Sequence, residues 1–337
     1  MTIRENIPLR PYNTFGMNVS ARWFTSVQTT EELRELFSDE KAHSSPHFIL
    51  GGGSNILFTK DVDALVIRNE IRGIELVKED ADFFYVKAGA GEVWHEFVKD
   101  CIRHNRAGVE NLSLIPGSVG AGPMQNIGAY GAELKDVFHS LEAFHIREDA
   151  MRTFSAGECE FGYRESVFKR ALKNQYFICS VTFRLSKNPK LNTSYGAIEK
   201  ELEKMGVTQP TIAGISEAVV RIRSSKLPDP ARIGNAGSFF KNPVVGAVKH
   251  AELKNEFPEI VSYPNGSDFK LAAGWLIEQC GWKGKRFGDA GVHKDQALVL
   301  VNYGNADGKE IYDLSTRVLE SVKEKFGVEL EREVNVY

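Results

Sequence analysis

Two glycine-rich segments, Gly51-Gly52-Gly53-Ser54-Asn55 and the 17 residues from Ile115 to Gly131, set the terms on which the first half of this chain can fold. Consecutive glycines let the backbone turn so that successive N–H groups converge, as an anion such as a pyrophosphate requires. The first segment follows the short apolar run His47 to Leu50. It serves either as an anion cradle or as a tight strand-to-strand turn. It is not a P-loop, because no Gly-Lys-Ser/Thr follows. Nor is there a dinucleotide-binding fingerprint at Gly89-Ala90-Gly91, where Trp94 stands in place of the third glycine. The second segment, IPGSVGAGPMQNIGAYG, holds five glycines. It is either a ligand-free connector or the partner of the first loop around one extended dinucleotide. Gln125 and Asn126 within it carry both donors and acceptors, as a flavin or purine edge requires.

Around these loops the pattern is mixed. Ala64 to Ile67 and Phe83 to Val86 read as strands, and Tyr176 to Leu185 alternates with Phe177, Cys179, Val181, Phe183 and Leu185 on one face. Trp94, Phe97, Val98, Cys101 and Ile102 mark an amphipathic helix that stops before Gly108. Ser216 is expected to N-cap a helix through Ile222, and Lys226-Leu227-Pro228-Asp229-Pro230 reads as a linker. Beyond it, Leu271 to Gln279 and Leu314 to Phe326 read as helices closed by Gly281 and Gly327. Val328, Leu330, Arg332, Val334 and Val336 then alternate, which predicts a C-terminal strand returning to an earlier sheet. At about 150 residues per domain, 337 residues imply two or three domains of α+β class.

Forty-two Lys+Arg against forty-five Asp+Glu leave a net charge of −3, which argues against a nucleic-acid binder. No apolar run reaches the roughly 18–20 residues of a membrane helix, and the first 15 residues carry no secretory signal. Cys101, Cys159, Cys179 and Cys280 lie 58, 20 and 101 residues apart. That spacing suits free buried thiols in a reducing cytoplasm and no metal site.

Three further residues bear on chemistry. Arg164, in Cys159-Glu160-Phe161-Gly162-Tyr163-Arg164, suits a carboxylate or developing enolate, or a surface ion pair. Ser238 sits on a small-residue turn in Gly234 to Pro243, outside any Gly-x-Ser-x-Gly elbow, which disfavours a hydrolase nucleophile. Glu333 lies on the polar face of the final strand, where a charge is ordinarily solvated.

Together these stretches resemble the UDP-N-acetylenolpyruvoylglucosamine reductase family. Thr14-Phe15-Gly16, GGGSN, IPGSVGAGPMQNIGAYG, CEFGYR, SKLPDP, GNAGSFFKNP, KLAAGWLIEQCGWKG and the terminal Glu-Arg-Glu-Val occur in order along nearly the whole chain. The Ser194-Tyr195-Gly196 insertion is similar to the longer, type I form. The resemblance implies a vanillyl-alcohol-oxidase-type FAD-binding domain of two α/β subdomains plus a C-terminal α+β substrate-binding domain. The expected bounds are 1–70, joined by the strand 328–337, then 71–227, then 228–327. It also implies noncovalent FAD, NADPH as reductant, and reduction of UDP-N-acetylglucosamine enolpyruvate to UDP-N-acetylmuramate by a cytoplasmic monomer.

By the same resemblance FAD is held by Gly51, Gly52, Gly53, Ser54, Asn55, Pro116, Gly117, Ser118, Gly120, Gln125, Asn126 and Gly128. Arg164 and Glu333 stabilise the enolate left by hydride addition at C3, and Ser238 protonates C2. Tyr195, Lys226, Asn242, Tyr263, Lys270 and Gln296 hold the UDP-sugar, with Tyr195 on a polar segment that closes over it. Two alternatives keep some of these features. One is another FAD-dependent oxidase on the same fold; the other is a non-catalytic nucleotide-sugar-binding protein.

Neither glycine-rich segment contains a histidine or cysteine that could tether a flavin ring. Acid precipitation of the purified protein should therefore release all flavin to the supernatant. Yellow colour retained in the pellet would show a covalent link.

Overall fold

The computed structural model describes residues 2–337, with Lys41 described by its backbone alone. The chain forms two compact units. The first comprises the N-terminal stretch to Ile7, Ala21–Gly52 and Val62–Ser225; the second comprises Pro8–Ser20, Gly53–Asp61 and Lys226–Tyr337.

The first unit is built on two sheets. One has the strand order Arg4–Pro8, Ser20–Val27, Val62–Asn69, His47–Leu50, with Val62–Asn69 parallel to both neighbours. The helix Thr30–Ser38, capped by the Thr29 side chain, buries Leu33, Leu36 and Phe37 with Leu65 and Ile67 of this sheet. The other sheet is antiparallel between neighbours, in the order Ala150–Ser155, Phe138–His145, Tyr176–Ser186, Phe83–Gly89, Ile74–Glu79. Tyr176–Ser186 is its central strand and buries Ile178 and Ser180 as well as the predicted face. Phe177 and Cys179 join one core while Ile178 between them joins a second, with Val181, Phe183 and Leu185, so the strand is covered on both sides near its start.

The predicted amphipathic helix is present as Trp94–Arg103, with Trp94, Phe97, Val98 and Cys101 buried. Phe97 and Phe183 have ring centroids 4.6 Å apart, and Trp94 Nε1 donates to the Leu112 carbonyl at 2.8 Å. This helix fixes the approach to the second glycine-rich segment.

Helix Ile212–Lys226 begins a turn earlier than the sequence suggests. Thr211 Oγ1, not Ser216, caps it by accepting the Gly214 N–H at 3.0 Å. Ser216 is instead buried inside the helix, and its hydroxyl meets that of Ser113 at 2.8 Å. The tertiary partner overrides the local capping preference.

The second unit pairs Gly234–Ser238 with Val299–Asn302, followed by Ala290–Val292 and Arg286–Phe287, all antiparallel. A smaller sheet has the order Val244–Val245, Asp268–Leu271, Ser262–Asn265. The sequence placed Leu271 in a helix, but it ends a strand there, and the helix runs Ala273–Gln279. Helix Gly308–Phe326 carries an Asp307–Glu310 capping box and ends at Gly327, whose φ of +60° suits glycine.

The expected continuous strand over 328–337 is shorter. Only Asn335–Val336 pairs regularly, in parallel with Ile56–Leu57. Residues 331–333 lie against 239–241 instead, with Lys241 N–H donating to the Glu331 carbonyl and an isolated antiparallel bridge between Phe240 and Arg332. A segment that changes both partner and direction cannot keep one ladder, and Val336 is left 40% exposed.

Among the described residues no helix is long and apolar enough to cross a membrane. All four cysteines are free thiols, three of them buried, and burial pushes Cys159 and Cys179 up to about 12.

Candidate active site

The two glycine-rich segments meet in the first unit. A Cβ on Gly51 would lie 2.6 Å from Ser118 Oγ, and one on Gly52 would lie 2.8 Å from Gly117 Cα. At Gly52 backbone therefore packs on backbone and only glycine fits, whereas Gly51 leaves room for the Ser118 hydroxyl. The second segment is pinned along the start of helix Trp94–Arg103. Trp94 N–H donates to the Gly117 carbonyl, Val119 N–H to Glu92 and Gly120 N–H to Ala90, at 2.8–3.0 Å. Pro116 and Gly117 stand at the outer turn, Ser118 is buried, and Gln125 is half-buried. Ser54 and Asn55, with Gly53, belong to the second unit; the Asn55 side-chain amide donates to the Glu333 carbonyl at 3.3 Å.

Asn126 is fully buried. Its amide donates to Glu133 and to the Gly162 carbonyl, and its Oδ1 accepts the Lys135 N–H. The side chain singled out for a ligand edge is thus engaged within the protein and ties the loop to the Arg164 turn. Two more bonds do the same. Arg164 Nη2 donates to the Gly128 carbonyl at 2.7 Å, and Ser166 Oγ donates to the Met124 carbonyl at 2.7 Å. Arg164 itself has φ +55°, a left-handed conformation that non-glycine residues hold only where their surroundings fix it. A permanently charged fork is therefore fixed on the second loop.

In the second unit, Ser238 ends its strand opposite Val299. The next residue, Phe239, accepts the Glu333 N–H at its carbonyl at 2.8 Å. The segments that carry Ser238 and Glu333 are thereby joined across an antiparallel contact. Lys241, 7% exposed, pairs with Glu331 at 2.6 Å, while Arg332 donates to Ser315 and Thr316 of helix Gly308–Phe326. The segment that carries Glu333 is anchored on both sides by charged side chains.

Of the expected sugar-binding residues, Tyr263 and Lys270 face each other across a strand pair. Asn242 Oδ1 accepts the Ala273 N–H and so starts the helix Ala273–Gln279. Gln296 Oε1 lies close to Gly274 in that same helix. Lys226 is exposed at the end of its helix. Tyr195, in the first unit, is 44% exposed with its ring 5.2 Å from that of Tyr130. Asn192, three residues before it, donates to the Gly131 carbonyl, and Asn111 donates to both Tyr130 and Asn192 carbonyls. The Tyr195 segment is thus tied to the end of the second glycine-rich loop.

Sequence reasoning passed over Lys241, Tyr130, His95 and Arg223. Lys241 lies inside a stretch already singled out, and its burial beside an acidic partner was the signal to follow. His95 and Arg223 carry no motif; only their tertiary hydrogen bonds reveal them.

Two glycine-rich turns in close approach, the second carrying a fixed guanidinium, fit a dinucleotide cofactor. Residues 22–149 match an FAD binding domain model, and the chain is an FAD-containing oxidoreductase. Residues 229–337 match the UDP-N-acetylenolpyruvoylglucosamine reductase C-terminal domain. The protein named UDP-N-acetylenolpyruvoylglucosamine reductase from Flavobacterium johnsoniae is 52% identical over the whole of both chains. The one from Pseudomonas syringae pv. tomato is 51% identical over 99% of each chain. A solved structure of the Thermus caldophilus UDP-N-acetylenolpyruvylglucosamine reductase is 27% identical, covers both chains fully and superposes with a TM-score of 0.71. The chain belongs to the UDP-N-acetylenolpyruvoylglucosamine reductase family. The expected pairing of an FAD-binding domain with a C-terminal reductase domain is borne out.

Gly52→Val should force Gly117 aside, costing about 1–3 kcal/mol of stability and lowering the flavin content of the purified protein. Gly157→Ala, at a site with nothing within 4 Å, should change neither. Urea unfolding and the ratio of flavin to protein absorbance check both.

Proposed function

We propose that this chain uses NADPH and bound FAD to reduce UDP-N-acetylglucosamine enolpyruvate to UDP-N-acetylmuramate, as a cytoplasmic monomer. Full-length identity to relatives that carry this reductase name supports the substrate. The observation that supports the residue roles is the Phe239–Glu333 backbone hydrogen bond, which joins the segments that carry Ser238 and Glu333.

Bound FAD would supply the hydride-transfer chemistry, and Gly51, Gly52, Gly53, Ser54, Asn55, Pro116, Gly117, Ser118, Gly120, Gln125, Asn126 and Gly128 are the residues that would hold it. The chain's other residues deal with charge and protons. Adding hydride to C3 of an enol ether leaves an electron pair at C2, delocalised into the neighbouring carboxylate. A cation held in place before the reaction lowers that barrier without reorganising, which is the role of Arg164. Its bond to the Gly128 carbonyl fixes the guanidinium on the second glycine-rich loop. Ser238 then delivers its hydroxyl proton to C2, with Glu333 completing the polar wall. Tyr195, Lys226, Asn242, Tyr263, Lys270 and Gln296 hold the nucleotide sugar. The exposed Tyr195 closes over it, and the lysines meet its diphosphate.

Ser238→Ala should leave flavin reduction by NADPH close to wild type, because no proton goes to a substrate carbon in that step. Reoxidation by the enolpyruvyl substrate should slow by roughly 10²–10⁴-fold, about 3–5 kcal/mol of transition-state stabilisation. Ser238→Cys should recover part of that rate. Stopped-flow flavin absorbance separates the two steps; reoxidation of Ser238→Ala at the wild-type rate would assign the proton to another group.

A further inference from the structure

Leu114, the residue just before the second glycine-rich segment, has φ +58°. That is the left-handed region, which leucine leaves unless its surroundings hold it there. Both of its backbone polar groups are held by side chains. Its N–H donates to His95 Nδ1 at 2.9 Å, and its carbonyl accepts from Arg223 Nε at 3.1 Å. His95 projects from helix Trp94–Arg103 and Arg223 from helix Ile212–Lys226, so two helices grip one residue. Arg223 also hydrogen-bonds the Tyr130 side chain, at the far end of the same segment. The adjoining Ser113, fully buried, is bonded to Ser216 of the Arg223 helix.

We propose that His95 and Arg223 are positioning residues that hold Leu114 in its left-handed conformation and thereby set the second glycine-rich loop for FAD, an inference that rests on the flavin site proposed above. The clamp works in one protonation state only. To accept the Leu114 N–H, His95 must be neutral with its proton on Nε2; an imidazolium has no lone pair to offer. The charged groups acting on the ring are Glu96 and Lys99 of its own helix and Arg223 of the other. Burial, helped by the two cations and opposed by Glu96, holds the His95 pKa below its ordinary value. Arg223 keeps its charge throughout, so His95 is the titrating member of the pair. The histidine is neutral above an unfolded value of about 6.5, and the clamp is intact there. It is lost as pH falls through the lowered native value.

The test is the rate at which FAD leaves the holoenzyme on dilution, read from returning flavin fluorescence at pH 8 and pH 5. His95→Ala and Arg223→Met should each release FAD about tenfold faster than wild type at pH 8. Wild type should approach the His95→Ala rate at pH 5. His95→Asn places an amide oxygen where Nδ1 was and does not titrate, so it should stay slow at both pH values. Release from His95→Ala or Arg223→Met at the wild-type rate, or from His95→Asn as fast as from His95→Ala, would overturn the clamp. If the alanine variant does not fold, wild type and His95→Asn decide: equal pH dependence overturns the proposal, and a flat profile in His95→Asn alone supports it. Wild-type protein without flavin would instead sink the flavin-site reading. Flavin-loaded wild type with indifferent variants would sink only this inference.

Discussion

Backbone-to-backbone contact between Gly52 and Gly117-Ser118 is the constraint on which the rest of the first unit depends. Two glycine-rich turns this close present peptide N–H groups and carbonyls where other proteins present bulky side chains. Such a surface suits a diphosphate and a polar heterocycle, and it tolerates little displacement. The surrounding structure is accordingly rigid. The buried aromatic face of helix Trp94–Arg103 sits on the antiparallel sheet, and its first turn bonds directly to the loop. From that loop three hydrogen bonds reach the turn that carries Arg164. The position of the charged group thus follows from the packing of the sheet beneath it.

The second unit solves a different problem, that of joining the segments that carry Ser238 and Glu333 from the middle and the end of a long sequence. Its answer is a short antiparallel contact rather than a motif. Phe239 and Glu333 share a backbone hydrogen bond, and the ion pair Lys241–Glu331 and the bonds from Arg332 brace the contact. With the Glu331 side chain exposed, that pair contributes less to net stability than to holding one geometry.

Much of this was legible in the residues. Glycine runs, the 3.6-residue recurrence from Trp94 to Cys101 and the alternation from Phe177 to Leu185 report local conformation directly, and each is present where expected. What escaped was decided by tertiary partners. Ser216 has the chemistry of a cap but is spent on Ser113, while Thr211 caps. Asn126 has a ligand-like amide but spends it on Glu133, Gly162 and Lys135. The C-terminal alternation reads as one strand because local pattern cannot show a change of partner between residues 333 and 335. The resemblance supplied candidate roles for Arg164, Ser238 and Glu333; residue chemistry alone left Arg164 and Glu333 open to bland surface readings.

The central claim is that the flavin held by these loops passes its electrons to an enolpyruvyl nucleotide sugar. Its most direct measurement is anaerobic. The protein is reduced with one equivalent of NADPH, and UDP-N-acetylglucosamine enolpyruvate is then added while the oxidised-flavin absorbance is followed. The account predicts rapid, stoichiometric return of the oxidised spectrum without oxygen, with one UDP-N-acetylmuramate formed per flavin. A flavin that stays reduced until air is admitted would contradict it and identify an oxidase on the same framework.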